Sequence, residues 1–166
     1  MVEQLAFRDA MARLAAAVNI ITTDGAGGRA GFTATAVCSV TDEPPTLLVC
    51  MNRASRGYPI FVANGALCVN VLEGGQAELS KSFATSGRDF DTRFNEASWS
   101  QLETGSPALQ GASASLDCLI ESVTEVGTHG IFMCRVVSLL QERQASALLW
   151  FQRSYVRVSP PLRTSP

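Results

Sequence analysis

Phe7, Met11, Leu14, Ala15 and Val18 recur at i, i+4, i+7, i+8 and i+11, so they share one face of a helix, with Arg8, Asp9 and Arg13 elsewhere. The spacing predicts a helix that ends near Ala17, where the period changes. Val18–Thr23 reads as a strand. Asp24-Gly25-Ala26-Gly27-Gly28 supplies a turn, and residues 31–40 read as a second strand, making a hairpin. Asp42-Glu43-Pro44-Pro45 breaks the chain. Residues 46–51 are almost wholly apolar, which predicts a central strand. Pro59–Ala63 reads as a short helix closed by Asn64-Gly65, 66–72 as a fourth strand, and Gln76–Phe83 as a further helix.

Residues 86–107 show no clear period and carry Arg88, Asp89, Asp91, Arg93, Glu96 and Trp99, which predicts a partly ordered surface excursion. Residues 116–124, 129–140 and 147–151 read as the remaining strands, with 154–158 a short last one. One domain is expected over residues 1–158, followed by a frayed tail at 159–166. No repeat or low-complexity block interrupts it. Strands separated by turns and a few short helices predict a mainly β fold, a small barrel with helical additions.

Composition narrows the function. Of the 166 residues, 46% are hydrophobic and 17% charged, so the chain is not a disordered one, and a buried subunit interface would account for the apolar excess. The net charge of −2, with scattered basic residues, gives no electrostatic case for nucleic acid. The apolar runs fall well short of the roughly 20 residues a spanning helix needs. Met1-Val2-Glu3-Gln4 lacks the basic flank of a signal peptide, and a cytoplasmic location is expected. Cys38, Cys50, Cys68, Cys118 and Cys134 include no C-x-x-C pair, and His129 is the one histidine, so no metal site is expected. Five small buried thiols in a reducing compartment are the simplest expectation for them.

Three segments are candidates for chemistry. In the second strand, Phe32, Ala34, Ala36, Cys38 and Val40 share one face, and Thr33, Thr35, Val37, Ser39 and Thr41 the other. This fits either a half-buried strand with a solvated hydroxyl face or a row of polar groups against a planar ligand. Met51-Asn52-Arg53-Ala54-Ser55, between a buried strand and a helix, fits either a capped helix start or a phosphate loop. His129 in Gly127-Thr128-His129-Gly130 is either a structural residue or a partner for a nucleotide. Gly25-Ala26-Gly27-Gly28 is no phosphate loop, because no Lys-Ser or Lys-Thr follows. No G-x-G-x-x-G supports a dinucleotide fold, and no G-x-S-x-G supports a nucleophile elbow. A chain this poor in acid–base groups needs a cofactor for demanding chemistry.

Several segments together resemble the short-chain flavin reductases of two-component monooxygenase systems. They are Phe7-Arg8-Asp9-Ala10-Met11, residues 16–23 (AAVNIITT), 31–41 (GFTATAVCSVT), 67–72 (LCVNVL), Val126-Gly127-Thr128-His129 and 148–155 (LLWFQRSY). The likeness runs in order over roughly residues 6–157, far more specific than any one motif. Two branches look nearest: the reductase components of 4-hydroxyphenylacetate 3-monooxygenase and the flavin reductases of pyrimidine utilisation.

The resemblance implies an FMN-binding split β-barrel, antiparallel and of Greek-key type, acting as a homodimer. It implies hydride transfer from NADH, or NADPH, to FMN or FAD, with the reduced flavin passed to a separate oxygenase. It implies that Thr33, Ala34, Thr35 and Ala36 line the flavin ring with Ser39 behind, and that Cys50, Met51, Asn52, Arg53 and Ser55 hold the ribityl chain and phosphate. It further implies Phe83 near the flavin, His129 near the nicotinamide nucleotide, and Trp150, Phe151 and Arg153 closing the site from this chain or its partner. No side chain is implied as a catalytic acid or base. Two departures stand out: Thr128 where many members have Asp, and Val156 where His is common. The competing reading is a non-catalytic flavin- or haem-binding protein on the same barrel.

Overall fold

The strands and short helices expected from the sequence are present, and they bury two hydrophobic clusters, one around Ile21, Val49, Phe61 and Phe132 and one around Ile20, Leu72, Phe83 and Leu148. The computed structural model describes residues 2–143 and 145–160. In chain order the elements are α1 (Gln4–Met11), β1 (Ala16–Ala17), β2 (Asn19–Thr23), β3 (Ala30–Ala34), β4 (Val37–Asp42) and β5 (Pro45–Asn52). There follow α2 (Tyr58–Asn64), β6 (Ala66–Val71), α3 (Ala77–Ala84), α4 (Phe90–Phe94), β7 (Trp99–Gln101), β8 (Pro107–Leu109), β9 (Ala114–Val126), β10 (His129–Gln141), β11 (Ala147–Phe151) and β12 (Ser154–Val158). From residue 161 the expected tail lies outside the described residues.

The main sheet has the order β3-β2-β6-β9-β10-β5-β4, every pairing antiparallel. A three-stranded sheet, β1-β11-β12, and a β7-β8 pair flank it. The expected strand over 31–40 is in fact two. β3 ends at Ala34 on one edge of the sheet, and β4 begins at Val37 on the other. The chain kinks at Thr35–Ala36, where Val37 N–H donates to the Thr35 carbonyl at 2.9 Å. Cys50 N–H donates to the Ala36 carbonyl at 3.0 Å, bringing the two edges together as an open barrel. The kink resets the alternation, so Thr35, Ala36, Cys38, Ser39 and Val40 are all exposed.

Other expectations are corrected. The first helix stops at Met11 because Ala16 and Ala17 are taken into β1 by pairing with Trp150 and Leu149. β5 is not central but second from the edge, between β10 and β4. Residues 86–107 are ordered: Asp89 caps α4 by accepting from Thr92 N–H at 3.2 Å, and Arg93 and Phe94 are buried. Of the five free thiols only Cys68, Cys118 and Cys134 are buried; Cys50 is half-buried and Cys38 exposed. Burial pushes the three buried thiols well up from their ordinary range, so they remain uncharged packing groups.

β2 is buried along its whole length, polar members included. Asn19 donates to the Ala17 and Ala34 carbonyls and Thr23 to the Ala66 carbonyl, while Asn70 on β6 serves the middle of the strand. Its amide donates to the Ile20 carbonyl at 3.0 Å and the Thr22 hydroxyl at 3.1 Å, while its carbonyl accepts from Leu109 N–H and the Ser115 hydroxyl. Paired polar groups of this kind fix register inside an apolar barrel. They hold β2 firmly, and therefore β3, which carries one wall of the site.

Candidate functional site

Two adjoining cavities share Ala84 at the end of α3. The larger, about 400 Å³, lies between Gly31 and Phe32 of β3, Met51 and Asn52 of β5, the 54–56 loop, the 83–87 segment, and Phe90 and Arg93 of α4. The bend after β5 is made locally: the Asn52 side-chain carbonyl accepts from Ala54 N–H at 2.9 Å. The Ser55 hydroxyl accepts from Gly57 N–H at 3.3 Å, leading into α2. Gly31 is required here, because a Cβ would stand 2.7 Å from Cε1 of Phe83.

The electrostatics of this cavity are one-sided. Among the described residues no carboxylate lines it, while Arg56 and Arg93 do. Arg93 is only 5% exposed. Its Nη1 donates to the carbonyls of Gly31 at 3.3 Å and Phe83 at 3.2 Å. Its Nη2 donates to those of Thr85 at 2.5 Å and Arg88 at 3.0 Å. Nε has no partner among the described residues. Arg56 and Arg93 both stack on the Phe90 ring, at 5.2 and 5.3 Å from its centroid. Burial, and then repulsion from Arg56 and Arg88, pulls Arg93 below its ordinary pKa, yet a guanidinium stays charged near neutrality. A buried cation bound only to carbonyls leaves a positive field for an anionic ligand.

The smaller cavity, about 210 Å³, is lined by Val18, Thr33, Ala34 and Thr35 on one side and Trp150 and Tyr155 on the other, with Ala84 between. Its lining is mostly apolar, as suits the face of a flat ring. The Thr33 hydroxyl donates to the Ser80 carbonyl at 2.6 Å, so towards a ligand only its lone pairs remain.

The flavin reductase like domain of known proteins matches residues 11–159 of this chain. The chain belongs to that family. The FMN reductase (NADH) RutF of Stutzerimonas stutzeri strain A1501 is 58% identical over 149 residues, which is 90% of this chain and 85% of that protein. A crystal structure of a protein from Haemophilus somnus 129pt superposes with a TM-score of 0.92 at 50% identity, covering 95% of this chain and all of that one. The styrene monooxygenase flavin reductase (SMOB) of Pseudomonas putida S12 superposes with a TM-score of 0.83 at 28% identity, covering 94% of this chain and 99% of that one.

Within this flavin reductase the expected residues separate into groups. Thr33, Ala34, Thr35 and Trp150 line the smaller cavity, and Met51, Asn52, Ser55 and Phe83 the larger. Ala36 and Cys50 meet at the seam of the barrel and line neither cavity. Burial, with Cys38 nearby, raises the Cys50 thiol. Ser39 is exposed on β4. Arg53 points to Glu125 at 2.8 Å and the Gly127 carbonyl at 3.4 Å, outside the larger cavity's lining. His129 is exposed; it pairs across the sheet with Asn52, and its Nδ1 lies 2.9 Å from the Thr128 hydroxyl. Phe151 is exposed near the β11–β12 turn, and Arg153 in that turn pairs with Asp9 of α1 at 2.5 Å.

Arg56, Phe90 and Arg93 line the larger cavity without having been expected there from the sequence. A usable signal was present: Phe90 and Phe94 at i, i+4 behind the Asp89 cap, with Trp99 following, form an apolar helix face inside a charged stretch.

Proposed function

We propose that the two cavities form one groove for a phosphorylated flavin, with its ring between β3 and Trp150 and its phosphate beside Arg56 and Arg93. The chain is an NAD(P)H-dependent flavin oxidoreductase that supplies reduced flavin to a partner monooxygenase. The observation that carries the groove assignment is the larger cavity, free of carboxylates among the described residues and lined by Arg56 and Arg93. When bound, the flavin supplies the chemistry by accepting a hydride from the nicotinamide. FMN and NADH are the first choices, given what the RutF relative is named for.

Each side chain then has a task of binding or orientation. Thr33 offers only acceptor lone pairs, so it suits a ring N–H, while Ala34 and Thr35 border the ring edge. Met51, Asn52 and Ser55 border the ribityl chain, and Phe83 backs it. His129, held by Thr128, stands beside the mouth near Asn52 and is assigned to the nicotinamide nucleotide. Arg53 braces the 127–129 turn through Glu125. Cys50 supports the seam, Ser39 stays on the exposed face of β4, and Phe151 and Arg153 lie at the outer edge. The protein's contribution to rate is holding two flat rings at near-attack distance away from water.

The apolar face of α1 has no buried residue within one chain, leaving Leu5, Phe7 and Met11 exposed. A homodimer that covers it is the assembly this favours. Among the described residues no helix is long and apolar enough to cross a membrane. We place the enzyme in the cytoplasm, where its free thiols are stable.

NADH oxidation by the purified chain, with FMN omitted and then added, tests the activity. The rate should depend on FMN and saturate with it. Absence of flavin-dependent turnover would overturn the reading.

A further inference from the structure

We propose that Tyr155 is a positioning residue, which sets the plane of Trp150 against β3 and so the alignment of whatever ring occupies the smaller cavity. The inference rests on the flavin groove described above and adds a residue that the groove itself did not require.

Trp150 and Tyr155 face each other directly across the β11–β12 ladder. Their rings meet edge to face, with centroids 4.8 Å apart and planes inclined at 70°. The Tyr155 hydroxyl shares a hydrogen bond of 2.9 Å with the Ser80 hydroxyl, and Ser80 is fully buried in α3. The Ser80 carbonyl in turn accepts from the Thr33 hydroxyl at 2.6 Å. One line of contacts therefore runs Trp150, Tyr155, Ser80, Thr33 and joins the two walls of the cavity through α3.

That line ties the β11–β12 hairpin to α3. The hairpin belongs to the small flanking sheet, not to the barrel, and most of β12 is exposed. Its turn residues Gln152 and Arg153 both have positive φ, 48° and 61°, without being glycine, a conformation that costs free energy at each position. At the far end of β12, Arg157 pairs with Glu73. At the turn, Gln152 N–H donates to the Ala12 carbonyl and Arg153 pairs with Asp9, and β11 pairs with β1; towards α3, the side-chain hydrogen bond is that of the Tyr155 hydroxyl. With it gone, Trp150 stays on its strand but its plane is free to tilt. A ring still binds, but it stacks less often at reacting distance, so turnover suffers more than affinity.

The test is a double-mutant cycle of Tyr155→Phe and Ser80→Ala, which break the same hydrogen bond from its two ends. Circular dichroism checks that each variant folds. Stopped-flow mixing of NADH with FMN-loaded protein reads the turnover rate and the long-wavelength charge-transfer absorbance of stacked rings. Each single variant should lower kcat by about 3–10-fold and weaken that absorbance, with FMN Kd changed by less than about twofold. The double variant should be no worse than either single one. Unchanged kcat in Tyr155→Phe, additive losses, or a loss confined to FMN Kd would overturn the proposal. Wild-type protein with no turnover would instead overturn the functional reading. FMN quenching of Trp150 fluorescence in a Trp99→Phe background needs no turnover. Tyr155→Phe should diminish that quenching at saturating FMN, and full quenching would count against Tyr155.

Discussion

The two cavities on either side of Ala84 are built on opposite principles. The larger is walled by a cation that is itself clamped: Arg93 holds four backbone carbonyls from β3, α3 and the following loop. Its geometry is fixed before any ligand arrives. The smaller is walled on one side by rings on the β11–β12 hairpin, which belongs to the small flanking sheet and not to the main one. The difference separates affinity from alignment. In the groove proposed above, preorganised charge would bind the phosphorylated end, while the aromatic wall would align rings that must enter and leave during turnover.

Substitutions can break this division, and they fall in order of expected size. Arg93→Met removes the clamp and strands its carbonyls. It should lower stability by about 3 kcal/mol in chemical denaturation and abolish measurable FMN binding. Gly31→Ala drives a methyl into the Phe83 ring inside the larger cavity. About 2 kcal/mol of stability should be lost, and FMN Kd should rise while nucleotide KM holds. Arg56→Gln leaves the fold intact and sharpens the contrast. By titration it should weaken FMN about tenfold while leaving riboflavin, which lacks the phosphate, nearly unaffected. The smallest effect is expected for His129→Ala: KM for NADH should rise about 3–10-fold, with little change in flavin affinity or thermal midpoint. Lost stability with unchanged KM would make His129 a structural residue instead.

The barrel was largely legible in the chain because period-two alternation and turn residues report strands locally. Gly65 at the end of α2 adopts the left-handed conformation its position implied, with φ 64°. The kink at Thr35–Ala36 was not legible. Alternation continues on paper through any extended run, and only closure of the sheet reveals where it must restart. α1 illustrates the same limit, since the helical spacing of Phe7, Met11 and Leu14 carries no news of the β11 edge that captures Ala16 and Ala17.

The site was legible in part for a related reason. Of the residues expected from the resemblance, Thr33, Ala34, Thr35, Met51, Asn52, Ser55, Phe83 and Trp150 lie on regular elements or at their ends and line one of the two cavities. Arg93 sits in a stretch rich in charge, where a buried guanidinium and a solvated one read alike. Arg53 and Arg56 are three positions apart on one loop, and the choice between them is made by Glu125, distant in sequence, which draws Arg53 away.

The most direct test of the groove is a crystal structure of the protein soaked with FMN. The account predicts the phosphate within hydrogen-bond reach of Arg56 or Arg93 and the ring lying between Thr33–Thr35 and Trp150. FMN bound elsewhere, or a groove that stays filled by the protein's own side chains, would contradict it.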